Sequence, residues 1–183
     1  INLSKGRIGE ENSSFFGSMF VTKIKQAGMA RAALPEEERH DFYLYIDEFQ
    51  NVVTETFENI LSEARKYGLC LTVAHQYMAQ LLPRVQQAIL GNVGSMIIFR
   101  VGGDDSVTLA PETQPTFDPK DMIKLGVREF YTKITIDGEA YEPFSARTLD
   151  VHPAPYHTDP EKIREMSRKK YAVTKERAQQ LIE

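Results

Sequence analysis

Asp47 and Glu48 are the residues of this chain whose type and position could most directly do chemistry. They close the run Tyr43-Leu-Tyr-Ile46, and Phe49-Gln50-Asn51 follows them. Four apolar or aromatic residues leading into two carboxylates describe a fully buried strand of a parallel sheet. The C-terminal end of such a strand is where α/β proteins hold ligands. Two acids there suit a nucleotide-hydrolysing site: the first can hold Mg²⁺ through its water shell, and the second can orient the attacking water. The same residues also describe a strand that ends in a solvated Asp-Glu turn. Asp47 and Glu48 alone do not separate the two.

The flanking elements must place these acids. Phe15, Phe16, Met19, Phe20, Ile24, Ala27 and Ala30 fall at helical spacing, predicting a helix over residues 13–33 with Ser13 or Ser14 as its cap. Leu34-Pro35 and three glutamates break it. A strand over 42–46 follows, then a helix over about 54–67 that turns Phe57, Ile60, Leu61 and Ala64 inward. Gly68 stands where that helix would be capped. Leu69 to Ala74 reads as a second buried strand ending at His75-Gln76. A helical segment over about 79–90, interrupted or started by Pro83, leads to a third strand at 96–101. Strand, helix, strand, helix, strand is the pattern of a parallel α/β sheet. Further on, Asp118-Pro119 starts a short helix. Residues 129–136 and 139–148 flank the hairpin signal Asp137-Gly138. A Pro- and His-containing linker, 150–158, precedes a charged terminal helix.

With 183 residues, 42% hydrophobic and 26% charged, the chain has the make-up of one globular domain with a small appendage. No apolar run approaches a membrane span. The lone Cys70 lies in an apolar run, so it reads as a core residue and excludes a disulfide framework. A reducing, cytosolic setting is expected. The net charge of −4 argues against a generally basic, nucleic-acid-coating surface, though not against DNA held locally in a pore. His40, His75, His152 and His157 have no metal-binding spacing, and Met19, Met29 and Met78 read as core filling. The chain opens on Ile1-Asn-Leu and closes on Gln179-Gln-Leu-Ile-Glu183 in a helical pattern, so a fragment of a longer polypeptide is expected.

Three blocks in register carry a family resemblance: Leu44-Tyr-Ile-Asp47-Glu48-Phe49; Glu63-Ala-Arg65-Lys66-Tyr-Gly68 running on to Ala74-His-Gln76; and Gly91-Asn-Val93 with Phe99-Arg100-Val101 and Asp105-Ser106. Together, over roughly residues 40–110, they resemble the C-terminal half of a RecA-like motor ATPase of the HerA–FtsK branch. The resemblance is closest to coupling proteins of conjugation and type IV secretion. It implies an α/β fold: part of a RecA-like P-loop NTPase three-layer sandwich with a mainly parallel sheet, ending in a β-hairpin and a C-terminal helix. Residues 1–149 would be the ATPase part, and 150–183 a linker and charged helical tail.

The resemblance also implies roles. The Leu44–Phe49 block looks like the family's Walker B strand, with Asp47 beside Mg²⁺ and Glu48 polarising the hydrolytic water. Gln76 would sense the γ-phosphate and its water, although without the resemblance a polar strand-end residue capping the next helix is the favoured reading. Arg65 would project toward the nucleotide of the adjacent subunit in a hexameric ring. Arg100 would be an interface or phosphate-proximal cation, ranked below Arg65. Both arginines also fit solvated charges at element ends. Tyr77 to Gln87, with Arg84 its only cation, is the segment offered to DNA in the pore, though a turn and core-packed helix describe it too.

The implied parent uses ATP and Mg²⁺ to move DNA, with secretion-system proteins as partners at the inner membrane. It lies on the cytoplasmic side, tethered to that membrane. Two alternatives stay open: a DNA-segregation or end-processing translocase of the same branch, and a non-catalytic scaffold module with a decayed site. No G-x-x-x-x-G-K-[ST] occurs, and Gly6-Arg-Ile-Gly9 lacks the Gly-Lys-Ser/Thr that would grip phosphates. The fragment alone is therefore expected to be inactive.

Overall fold

The computed structural model describes residues 1–53, 57–150 and 159–181. A short helix, α1 (Lys5–Ile8), leads through Gly9 into α2 (Glu10–Met29), which tightens into a 3-10 turn over Ala30–Ala33. The long helix thus starts ahead of Ser13 and Ser14, and neither caps it. Ser13 is buried, and its hydroxyl donates to the Leu3 carbonyl at 2.6 Å. The inward face is also not the one the large side chains suggest. Ser13, Gly17, Val21 and Gly28 are buried, whereas Phe15, Phe16, Met19 and Met29 are exposed. Close approach is the reason: a Cβ on Gly17 would lie 2.2 Å from Val52 Cγ1, so the small residues form the contact.

Strand β1 (Phe42–Ile46) forms where the sequence places it and pairs in parallel with β2 (Leu69–Val73), from Phe42↔Leu69 to Ile46↔Val73. It is not buried on both faces, as its composition suggested. Leu44, Ile46, Leu71 and Val73 pack on the core, while Tyr43 and Tyr45 stand exposed on the other face. The crossover holds a 3-10 turn (Phe49–Asn51), α3 (Phe57–Glu63) and a second 3-10 turn (Ala64–Tyr67). Residues 54–56 of the expected helix lie outside the described residues. Phe57, Ile60 and Ala64 are buried as expected, with the Phe57 ring edge-on to Phe49 at 4.5 Å. Gly68 ends the turn with φ 68°. A Cβ there would meet the carbonyls of Arg39 and His40 at 3.0 and 3.1 Å, so the position needs glycine twice over.

Helix α4 (Pro83–Asn92) starts at Pro83 and is followed by β3 (Met96–Ile98). Next come α5 (Gly103–Thr113) and α6 (Pro119–Lys124), the latter held by the expected Asp118 cap in a capping box with Asp121. After β4 (Glu129–Lys133), β5 (Thr135–Ile136) and β6 (Glu139–Ala140) flank the Asp137-Gly138 turn, and β7 (Phe144–Arg147) returns. Both turn residues have positive φ, as such a tight hairpin requires. Here the expected single parallel sheet gives way. β3 pairs antiparallel with β4, β4 with β7, and β5 with β6, so among the described residues the fold is mixed α/β, with one parallel pair and two antiparallel sheets. The hairpin folds β7 back beside β4, and β3 takes its hydrogen bonds from β4's other edge.

Two cores result. Val21, Phe49, Phe57, Ile60, Leu81 and Val85 belong to one; Met78, Ile98, Leu109 and Met122 form the other. Of the three methionines read as core filling, only Met78 is buried.

Residues 149–183 form a second unit. Asp159 accepts hydrogen bonds from the Glu161 and Lys162 N–H groups and caps α7 (Pro160–Tyr171), and Thr174 caps α8 (Lys175–Gln180). Residues 151–158, with His152, His157 and most of the expected linker, lie outside the described residues. Among the described residues no helix is long and apolar enough to cross a membrane.

Candidate functional site

Parallel pairing puts the C-terminal ends of β1 and β2 side by side, and the ladder continues one step beyond both strands. Ala74 N–H donates to the Ile46 carbonyl and Phe49 N–H to the Ala74 carbonyl, each at 2.9 Å. These bonds fix the turn at Asp47-Glu48 against the segment that carries Gln76. Glu48 Oε1 accepts from Gln76 Nε2 at 2.9 Å, and Glu48 Oε2 accepts from Gln50 Nε2 at 2.6 Å. Two residues picked from separate sequence blocks are thus in direct contact.

Glu48 itself sits in the left-handed region, at φ 48° and ψ 45°. A non-glycine residue there carries strain on the order of 1–3 kcal/mol, a feature that clusters at functional turns. The Asp47 carboxylate accepts the Glu48 N–H at 2.9 Å, which helps to hold the turn. Nothing in the residue types reveals this conformation, so it is invisible in the sequence.

The Gln76 hydrogen bond, then the Gln50 hydrogen bond, hold the Glu48 carboxyl below the ordinary glutamate range, with a smaller pull from Lys5. Desolvation opposes them and loses. Glu48 is therefore an oriented carboxylate at neutral pH, and a weaker base than a free glutamate. Gln50 Oε1 is buried with no hydrogen-bond partner among the described residues, leaving an acceptor beside the acid. An open groove next to it is lined by Lys5, Glu10, Ser14, Phe15, Gln50 and Asn51. Gln50 and Lys5 were not singled out in the sequence; the only signal for Gln50 is its place two residues after Glu48.

Asp47 is exposed, and among the described residues no cluster of three or more His, Cys, Asp or Glu could cage a metal. A single open carboxylate fits a Mg²⁺ ion held through water, and does not fit direct protein coordination.

The arginines lie apart from this cluster. Arg65 is exposed in the turn before β2, so the length of that strand separates it from Gln76, about 15 Å at ~3.3 Å per residue. Arg100 is exposed just after β3. Arg84 is exposed in the first turn of α4, where neighbouring Leu81 and Val85 are buried in the core. Asp105 and Ser106, read as part of a turn, lie in the first turns of α5 and are both buried.

Comparison with known proteins places this geometry in a family context. Residues 41–110 match a family model described as the TraM recognition site of TraD and TraG. That segment spans β1, β2, their crossover and most of α5. Among solved structures, the bacterial conjugative coupling protein TrwBdeltaN70, in an unbound monoclinic form, aligns with TM-score 0.52 and 16% identity over 66% of this chain. The chain spans about a third of that structure's length, 34%. No curated protein matches it in sequence. The matched segment coincides with the stretch of about residues 40–110 in which the three blocks were read from the sequence, and the fold is similar to that of this coupling-protein structure.

Proposed function

We propose that this chain is the C-terminal part of the RecA-like ATPase domain of a conjugative or type IV secretion coupling protein, and that it holds the water-handling half of the site. The Glu48–Gln76 hydrogen bond at the shared end of two parallel strands carries this reading. The bare Tyr43/Tyr45 face of that pair supports it, because parallel sheets are normally covered on both sides and a three-layer sandwich would supply the cover.

ATP and Mg²⁺ are the proposed cofactors. The ion supplies charge stabilisation to the phosphates when bound. Asp47 would hold its water shell. Glu48, already ionised and fixed by two amides, would orient the attacking water; its lowered pKa favours that task over proton removal. Arg65, remote from Glu48 within one chain, would serve a neighbouring subunit's site in a hexameric ring. Arg100 would lie near phosphate, and Arg84 would meet the translocated DNA. A TraM-like protein is the partner that the matched family's description suggests, and secretion-system proteins at the inner membrane are proposed beside it. The parent would work at the cytoplasmic side, tethered to the membrane.

The test is made in the intact parent. Glu48→Gln should keep nucleotide binding and cut ATP turnover by about 10²–10⁴-fold, because the amide preserves shape but handles water poorly. Near-normal turnover would remove Glu48 from the reaction. This fragment alone should hydrolyse no ATP, since the phosphate-gripping loop is not in its sequence.

A further inference from the structure

Asp104 and Asp105 are adjacent in the first turn of α5, yet their environments are opposite. Asp104 is exposed, as a carboxylate beside a helix N-terminus normally is, whereas Asp105 is 8% exposed. Neither makes a side-chain cap to its own helix: Gly102 occupies the cap position. Both Asp105 oxygens instead face the Met78 N–H, Oδ2 at 3.1 Å and Oδ1 at 3.3 Å. Burying a carboxylate for one backbone donor is expensive, and ordinary helix-dipole benefit is available on the exposed side at no such cost. The placement therefore needs a reason in what Met78 does.

Met78 is buried and opens the 3-10 turn Met78–Gln80, two residues after Gln76. The far side of that turn is held separately, by Gln86 Nε2 donating to the Met78 and Leu81 carbonyls at 2.9 Å each. His75 reaches the same place, with Nε2 3.2 Å from Met78 Sδ. The segment from Ala74 to Met78 is thus pinned at one end by the ladder to β1 and at the other by Asp105. Gln76 lies between the two pins, with its side chain on Glu48.

We propose that Asp105 is a positioning residue: it anchors the Met78 backbone so that Gln76 stays on Glu48. This rests on the reading of Glu48 and Gln76 as the water-handling pair, and it makes α5 part of the support of that site. A carbonyl oxygen suffices for the task, so Asp105→Asn should substitute for the acid, and Asp105→Ala should not. Asp105→Leu, similar in volume and apolar, avoids a cavity and serves as a second variant without the acceptor.

The experiment is NMR on this chain. The reporters are the Gln76 side-chain amide protons and the exchange rate of the Met78 backbone amide. Glu48→Ala marks where the Gln76 signals lie without their acceptor. Asp105→Ala or Asp105→Leu should move the Gln76 signals toward that reference and speed Met78 exchange at least tenfold, while Asp105→Asn keeps both near wild type. A folded Ala or Leu variant with unmoved Gln76 signals overturns the proposal. So does failure of both to fold, which would make Asp105 a stability residue alone. In the intact parent, Asp105→Ala should lower kcat by about 10–100-fold with nucleotide affinity kept, the scale expected for a displaced reacting group. A parent without ATP turnover would end the ATPase reading while leaving the NMR result standing, so the two failures are distinguishable.

Discussion

The parallel pair β1–β2 and the antiparallel sheet β3–β4–β7 both alternate inward-packed and exposed residues along a strand. In the first, Leu44 and Ile46 pack inward and Tyr43 and Tyr45 are exposed; in the second, Ile98 is buried and Ile97 is exposed. They differ in where their strand ends go. Parallel strands deliver their C-terminal ends to one side, so the residues that follow β1 and β2 converge and Glu48 meets Gln76 and Gln50. Antiparallel neighbours send their ends in opposite directions, and Arg100, after β3, has no comparable polar set around it among the described residues. Strand direction decides which sheet can assemble a site.

The largest effect that would sharpen this contrast is at the far end of β2. Arg65→Ala in the intact parent should leave ATP affinity largely intact and lower turnover by about 10³–10⁵-fold. Lys should rescue poorly, since a point charge does not reproduce the planar fork. Mixing Arg65→Ala subunits with Glu48→Gln subunits should recover activity, because some interfaces then pair an intact Glu48 with an intact Arg65. Mixed rings that stay at the level of the two parents would exclude action across subunits.

Next in size is the packing difference within the second sheet. Ile98→Ala, 5% exposed, should cost about 2–5 kcal/mol in chemical denaturation, whereas Ile97→Ser, at an exposed position, should stay within about 0.5 kcal/mol. Equal losses would mean that Ile97 is covered in solution. Smaller again is the helix contact under β1–β2. Gly17→Ala should lower stability by about 1–3 kcal/mol through the clash with Val52, while Gly91→Ala, with nothing within 4 Å of the new Cβ, should be neutral or stabilising by up to about 1 kcal/mol.

Acid should act on His75 and Glu48, at the two strand ends of the parallel pair, in separate windows. Burial lowers the pKa of His75, and Asp105 only partly offsets it, so the folded chain resists protonation more than the unfolded chain does. Stability from this residue is complete above about pH 6.5 and falls as pH drops toward the lowered folded value. Glu48 is also lowered, so its contribution is complete above about pH 4.3 and is lost only below that, as pH falls through its folded value. Unfolding followed against pH should therefore show an early, His75-dependent loss that His75→Gln removes. Glu48 titration should move upward in Gln76→Ala, which removes the hydrogen bond that lowers it most. An unchanged early loss in His75→Gln would assign it to another group.

Much of this was legible in residue types. Both β1 and β2, the Gly68 cap, the Pro83 start, the Asp118 cap and the Asp137-Gly138 hairpin follow from local chemistry, and local chemistry is what a sequence displays. The contact between Glu48 and Gln76 was half legible: two strand ends could be read, and their pairing could not. What failed was long-range. Met19 and Met29 were assigned to the core because hydrophobicity marks burial on average, but the close approach of Val52 to α2 selected Gly17. β3 was assigned to a parallel sheet from the alternation of strands and helices, which does not encode its partner's direction. Asp105 was read only as part of a turn, and only packing separates it from Asp104.

The most direct measurement is steady-state ATP turnover of the intact parent carrying Glu48→Gln, Gln76→Ala, or both. If the pair is one water-handling unit, each change lowers kcat and the double variant is no slower than Glu48→Gln alone, since the second change removes a partner already disabled. Independent, multiplicative losses, or a Glu48→Gln enzyme with near-normal kcat, would contradict a shared role at the ends of β1 and β2.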